Sequence, residues 1–467
     1  MEKPYVVLGA GITGLSAAWK LSEAGLPVIV LEKDRTIGGM AGTFVHKEYM
    51  LDYGPHKIYS QLPIFEEVKK FLAEDLLAVK KSSKIRLSGK FLPYPFGIKD
   101  LLLALHPAIA MKCGTTYAAT SALNIVRTKE DTCYEDYIVN RFGSGTYNLV
   151  FGPYAEKAWG DPKKLDISLA KSRIVIPSMT EMLKRMLFGD QGKKELSASM
   201  FYYPKYGAGE MAEKMKKAIE EKENTVLCNA APLAIKIEQN TATTVEYEYQ
   251  GKKKKIEIQG IISTIPMKEY LNLLSKVPAK VREAAEKMKF RKLILLYLEV
   301  NKKRIFPENW IFFPEKKYIF NRLSEQKGFS EHMGPEEKTV LCVEITVDAQ
   351  DPHSKITEKE LFTEVIRQLE ECNIVEEKDV LSYWKKEIDD GYPVYHINYQ
   401  EALTTFLSYV ESTENIFSIG RQGMFNYVGC IDCIDMGATT AAYIAQKRKK
   451  SEWKEERKKF ENYITID

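Results

Sequence analysis

The chain has 467 residues, 45% of them apolar, enough to fill the cores of two or three domains. Its 68 basic and 64 acidic residues leave a formal charge of +4, too balanced for a nucleic-acid-binding surface. Seven scattered cysteines argue against a disulfide framework and suit a reducing cytoplasm, and no basic and apolar leader precedes the first strand.

Residues 4–8 are a β-branched run that reads as a buried strand, and the spacing of Leu15, Ala18, Trp19 and Leu21 reads as an amphipathic helix. Between them Gly9, Gly11 and Gly14 stand at the G-x-G-x-x-G spacing. In that pattern the first glycine permits a tight turn, the second lets backbone approach a pyrophosphate, and the third lets helix and strand pack closely. A second strand over 27–31 ends on Glu32, placed to accept hydrogen bonds from a ribose diol and to repel an extra 2′-phosphate. Strand, glycines, helix, strand and acid in one register predict a dinucleotide cradle, with NAD and FAD both open.

Further along, residues 61–200 predict a mainly helical insert. Within it, 101–125 is the most apolar stretch; His106, Pro107, Lys112 and Gly114 interrupt it, so buried or surface-lying helices are expected rather than a membrane span. A glycine turn at 201–219 leads into a helix and then strands up to residue 266, among which Lys252 to Lys255 read as a solvated hairpin. Over 286–399, Leu293 to Val300, Trp310 to Phe313 and Thr339 to Val347 predict an antiparallel sheet. A strand at 415–419 and a small-residue helix from Gly437 follow, and residues 447–467 predict an exposed, charged terminal helix. Cys430 and Cys433 form a C-x-x-C without a second pair or nearby histidines for zinc, so no metal site is read. The pair reads either as a redox dithiol or as two packed thiols.

The choice of nucleotide rests on the continuation after Glu32. Gly38, Gly39 and Thr43 form a GG-x-x-x-T tail. It resembles the large group of FAD enzymes that includes amine oxidases, protoporphyrinogen oxidase, carotene desaturases and UDP-galactopyranose mutase. The resemblance implies FAD, held by Gly9, Gly11, Gly14, Glu32, Gly38, Gly39, Arg421 and the helix that includes Gly437. The N-terminus of that helix would stabilise negative charge on the reduced ring. The implied fold is α/β: a discontinuous Rossmann-type FAD-binding domain of 1–60, 201–285 and 400–446, a helical insert over 61–200 and an antiparallel-sheet substrate domain over 286–399. Backbone near Ala231 to Leu233 would meet the adenine.

Patches over most of the chain resemble UDP-galactopyranose mutases, especially the eukaryotic type. DYGPHKIYS (52–60) matches a segment that places a histidine near the flavin, here His56, and GKFLPYPF (89–96) matches an aromatic wall, here Tyr94 and Phe96. The runs 153–174 and 309–322 put Arg173 and Arg322 at substrate-phosphate arginines, while GYPVY and GRQGMFNY supply Tyr392, Arg421 and Tyr427. The resemblance implies pyranose/furanose interconversion of an anionic nucleotide sugar bonded in passing to N5 of the reduced flavin, with a separate electron donor. Arg173 and Arg322 would hold the diphosphate, Tyr392 and Tyr427 orient it, and His56 support the flavin. Two such guanidiniums would also repel a protonated amine.

The sequence departs from the mutases at Phe312, which replaces a tyrosine, at Gly97, which replaces a polar residue, and at Ile431 and Asp432, which replace an Asp-His pair. An FAD-dependent oxidoreductase accepting hydride from a small molecule stays open as the alternative, as does the oligomeric state.

Overall fold

Five parallel strands carry the cradle, in spatial order Ile416–Ser418, Gly260–Ser263, Tyr5–Leu8, Val28–Leu31 and Thr225–Leu227. The computed structural model describes residues 2–95, 105–126, 130–173 and 199–463. The three central strands are almost wholly buried, as their unbroken Val, Ile and Leu runs require of a parallel sheet covered on both faces. The helix Ile12–Glu23 packs against the helices Glu210–Glu220 and Cys430–Ala445.

Two differences from expectation fall in this part. The small-residue helix expected from Gly437 begins at Cys430 instead. Asp432 sets that start: its carboxylate accepts the N–H of Gly429, the helix cap, at 2.9 Å and satisfies a donor the helix leaves unpaired. Gly437 therefore lies inside the helix, where a methyl would sit 2.5 Å from the Thr13 carbonyl oxygen and 2.7 Å from the Ala17 nitrogen. It is a backbone-to-backbone crossing point. Residues 447–463 are not an exposed helix either, but short turns around the helix Trp453–Arg457, with Trp453, Arg457 and Phe460 buried against the body. The Trp453 ring packs onto Phe417, Tyr443 and Phe460, and this outweighs the high charge of the segment.

A three-stranded meander, Ala230–Glu238, Thr241–Tyr249 and Lys252–Glu257, projects beside the parallel sheet. Lys252 to Lys255 are exposed there, and Lys253 and Lys255 face Glu248 and Glu246 across the ladder.

The second large sheet has seven strands, ordered Val380–Pro393, Phe290–Val300, Thr339–Val347, Arg322–Glu325, Trp310–Phe312, Ser83–Leu87 and Lys90–Pro93. Every neighbouring pair is antiparallel except Trp310–Phe312 with Ser83–Leu87. The last two strands come from the stretch expected to be mainly helical. Their turn, Ser88-Gly89, has φ of 49° and 79°, the doubly positive geometry of a two-residue hairpin loop. Leu76–Lys80 pairs likewise with Met200–Pro204. The described helices of this stretch include Ile64–Leu72, Pro107–Val126, Tyr134–Thr146, Gly152–Trp159 and Ile167–Arg173. Pro107–Val126 runs unbroken through Lys112 and Gly114 on the surface, with Met111 and Leu123 exposed. No helix among the described residues is long and apolar enough to cross a membrane.

The two-residue period of the seven-stranded sheet decides what reaches the site. Ile294, Leu296, Leu298, Leu341 and Val343 pack under the sheet against the helix Glu358–Glu371. Leu293, Leu295, Tyr297 and Cys342 point the other way, as does Glu344 by register. Tyr297 donates its hydroxyl to the Asp52 carbonyl oxygen at 2.7 Å and so ties this face to the N-terminal part of the chain.

Candidate cofactor and substrate site

A cleft of about 790 Å³ is lined by residues of both sheets and runs from the Gly9 turn to Arg322 and Tyr392. At its outer end Gly9, with φ of 95°, makes the turn out of the first strand, and its N–H donates to the Leu31 carbonyl oxygen at 2.8 Å. Gly11 caps the helix, and a methyl placed on it would meet no atom of the described residues within 4 Å. Gly14 sits behind the cleft, where a methyl would overlap the Gly9 carbonyl oxygen.

Glu32 accepts the Ala10 N–H on one carboxylate oxygen at 2.8 Å and the Asp34 N–H on the other at 2.9 Å. Each oxygen keeps room for another donor. Burial pushes the Glu32 pKa above the usual carboxylate range, offset in part by the Asp34 and Ala10 amides. Gly38 and Gly39 close the turn over Gly11, the Gly38 N–H donating to the Ala10 carbonyl oxygen at 2.8 Å. Ala231 and Pro232 complete the Glu32 end, where the adenine was expected.

The deep end gathers Arg173, Arg322, Tyr392, Arg421 and Tyr427. Arg173 donates through Nη2 to the Tyr427 carbonyl oxygen at 2.8 Å, and its guanidinium carbon lies 3.5 Å from the centre of the Tyr427 ring. The Arg421 guanidinium is 4.6 Å from the same centre. Two cations on one ring are favourable contacts that also fix where the ring lies. Tyr392 packs on Tyr427 with ring centroids 5.2 Å apart. Phe312 and Trp159 form an apolar wall, and Tyr94 stands behind Phe312 at 5.0 Å between centroids. Phe96 and Gly97 lie outside the described residues.

His56 enters the cleft with Nδ1 3.3 Å from an oxygen of Asp52. Asp52 is fully buried and accepts hydrogen bonds from Thr43, Tyr203 and the Ala208 N–H, so it is a rigid anchor for the imidazole.

Sequence reasoning missed Glu344, which register places directly across the ladder from Arg322. One of its oxygens takes Arg322 Nη2 at 2.6 Å and Nε at 3.2 Å. The other accepts the Tyr392 hydroxyl at 2.9 Å and the Asn321 amide at 3.1 Å. Burial opposes the charge of Arg322, but Glu344 and Tyr392 overcome it and raise the guanidinium pKa well above its ordinary value. Burial, then Glu344, raises the Tyr392 hydroxyl far up, so it acts as a neutral donor. Arg322 is thus partly compensated rather than a bare cation. No local pattern could reveal this, because the pair joins two strands with separate sequence signals.

Arg421 is different. Among the described residues its Nε and Nη2 are buried without a hydrogen-bond partner. Leaving charged donors buried and unpaired is expensive, so this side chain awaits an anion or a carbonyl-rich ring. The first turns of the Cys430–Ala445 helix bring Gly429, Cys430 and Cys433 to the cleft beside it, whereas Gly437 does not line it. A dinucleotide fits this set. Glu32 takes a ribose, the open Gly11 backbone a pyrophosphate, and Arg421 with the Gly429 helix start the electron-accepting ring.

Parallel sheet, glycine turn, ribose acid and the two unpartnered nitrogens of Arg421 together define a dinucleotide-binding protein. The chain belongs to the flavin containing amine oxidoreductase family, which matches residues 12–432, and its cofactor is FAD. Over its whole length the fold is similar to a crystal structure of reduced UDP-galactopyranose mutase, with a TM-score of 0.84, 20% identity and 99% of that chain covered. It is similar also to the structure of an Exiguobacterium sp. 255-15 protein described as a putative protoporphyrinogen oxidase, with a TM-score of 0.75 and 16% identity over 96% of this chain and all of that one. In sequence, the L-amino-acid oxidase of Crotalus adamanteus is 40% identical over 70 residues, 15% of this chain. That match spans only 14% of the oxidase, about one seventh of its length.

Proposed function

We propose that this flavoenzyme is a nucleotide-sugar mutase of the UDP-galactopyranose type, which interconverts the ring sizes of a sugar carried on a diphosphate. The observation that supports it most is the cationic deep end of the cleft, where Arg173 stacks on Tyr427 and Arg322 reaches the Tyr392 hydroxyl. Such a set attracts a diphosphate and disfavours a protonated amine.

In this reading each side chain takes a role that its contacts support. Glu344 engages Nε and Nη2 of Arg322, which leaves the rest of the guanidinium fork to grip a phosphate oxygen. Arg173, stacked on Tyr427, holds the diphosphate from another side and keeps it within reach for its return. Tyr392 and Tyr427 orient it, His56 supports the flavin against its Asp52 anchor, and Phe312 and Trp159 exclude water. When bound and reduced, FAD supplies the nucleophilic electron pair that the sugar carbon requires. The partners are accordingly an anionic nucleotide sugar and an electron donor.

A hydride-accepting oxidoreductase is the second reading, favoured by Phe312, which presents an apolar face to this end of the cleft. Anaerobic photoreduction followed by incubation with UDP-sugars separates the two. The mutase reading expects ring-size conversion only in the reduced protein and without oxygen uptake. Turnover from the oxidised state with peroxide formation overturns it.

A further inference from the structure

Cys430 and Cys433 have no part in the proposed reaction, yet both line the FAD cleft from the first turns of the helix Cys430–Ala445. We infer that they form a two-electron dithiol/disulfide couple that exchanges electrons with the FAD held beside them. The inference rests on FAD binding and is independent of the mutase reading.

Geometry supports closure of the bridge. Residues three apart on an α-helix have Cα atoms about 5 Å apart. A disulfide spans about 4.4–6.8 Å, so the ring closes with little backbone movement. Position supports the exchange. Cys433 contacts Thr13 in the first turn of Ile12–Glu23, beside the turn expected to hold the pyrophosphate. Cys430 is within the field of Asp52, the residue that anchors His56. The unpaired Arg421 guanidinium acts on both thiols and reaches on to the Tyr427 ring. The pair therefore lies between the pyrophosphate turn and the Arg421 end of the cleft, where the electron-accepting ring belongs. Among the described residues no third ligand completes a metal site with them.

The surroundings favour electron flow from the thiols to the flavin. Burial, reinforced by the neighbouring thiol, pushes Cys430 up to about 12, and burial pushes Cys433 up to about 11. Disulfide oxidants owe their power to stabilised thiolates, so a pair that resists ionisation is a reducing one. In the exchange two S–H bonds break and one S–S bond forms. Two electrons and two protons pass to oxidised FAD, which is the acceptor, and no third reactant is needed.

The test is an anaerobic dithionite titration of oxidised holoenzyme, followed by flavin absorbance, together with mass spectrometry of alkylated cysteines. The wild type is expected to take up about four electrons per flavin and the Cys430→Ser and Cys433→Ser variants about two. Residues 430 and 433 are expected to escape alkylation in the unfolded oxidised protein and to be labelled after reduction. Uptake of two electrons by the wild type, with both cysteines labelled in its oxidised form, overturns the inference. Should a serine variant fail to retain flavin, the alkylation pattern of the wild type decides alone.

Discussion

Replacing Gly11 with alanine separates cofactor binding from folding. The Gly11 backbone, with φ of −67° and ψ of 171°, is ordinary extended geometry for alanine. The added methyl meets no described atom within 4 Å and projects into the cleft that Gly11 lines. It stands where the pyrophosphate approaches the backbone amides. Charge-assisted hydrogen bonds of that kind are worth about 1.5–3 kcal/mol. The FAD dissociation constant is therefore expected to rise about 10- to 150-fold. Apoprotein stability is expected to stay within about 0.5 kcal/mol of wild type.

Gly14→Ala is the opposite case. Its methyl overlaps the Gly9 carbonyl oxygen and lies 3.1 Å from a Val7 methyl and 3.2 Å from the Thr264 hydroxyl. The helix has to lift from the strand, at about 1–3 kcal/mol in the apoprotein itself. FAD titration by fluorescence quenching and urea unfolding of the apoproteins give the two quantities. Wild-type affinity in Gly11→Ala refutes the pyrophosphate path, and equal destabilisation of both apoproteins refutes the reading of Gly11 as open.

Arg322→Ala is expected to weaken UDP binding at least about tenfold, the loss of one charge-assisted contact, while flavin absorbance and stoichiometry persist; calorimetry with UDP checks it. Lys157 Nζ lies 2.5, 2.6 and 3.2 Å from the carbonyl oxygens of Phe313, Phe320 and Glu315, and burial lowers its pKa from 10.5 to about 7. Between those values the unfolded chain binds a proton that the folded chain does not, so stability rises with pH. Lys157→Met is expected to remove that slope, at most about 1.4 kcal/mol per pH unit, in urea titrations between pH 7.5 and 9.5. Trp453→Ala is expected to lower stability by about 3–5 kcal/mol, because its ring is buried against Phe417, Tyr443 and Phe460; denaturant unfolding measures it.

What was legible in the sequence was whatever a short stretch specifies by itself. The Gly9, Gly11, Gly14 and Glu32 register encodes a local unit, and its strand, glycine turn, helix and second strand form where the sequence places them, whereas the Ala10 and Asp34 amides that donate to Glu32 were not foreseen. Gly437 misled because small residues marked a tight crossing as readily as a helix start, while the true start lay in the less conspicuous Gly429 and Asp432. The Ser88-Gly89 hairpin was readable from its turn residues but was submerged in a helical neighbourhood. Trp453 and Phe460, seven residues apart, were a visible apolar stripe hidden by the charges around them. Glu344 had no local mark at all, since its importance exists only once two strands bring it opposite Arg322.

The order in which the parallel strands occur along the chain bears on how the protein is made. Tyr5–Leu8 pairs on one side with Val28–Leu31, but its other neighbour, Gly260–Ser263, leaves the ribosome about 250 residues later, and Ile416–Ser418 follows later still. At ordinary rates of synthesis the N-terminal strand waits on the order of 10 to 50 s with one edge bare. That edge is a template for wrong pairing, and chaperone occupancy during translation is the expected remedy. The cleft takes in residues as late as Arg421 and Cys433, so products terminated before them are expected to be colourless.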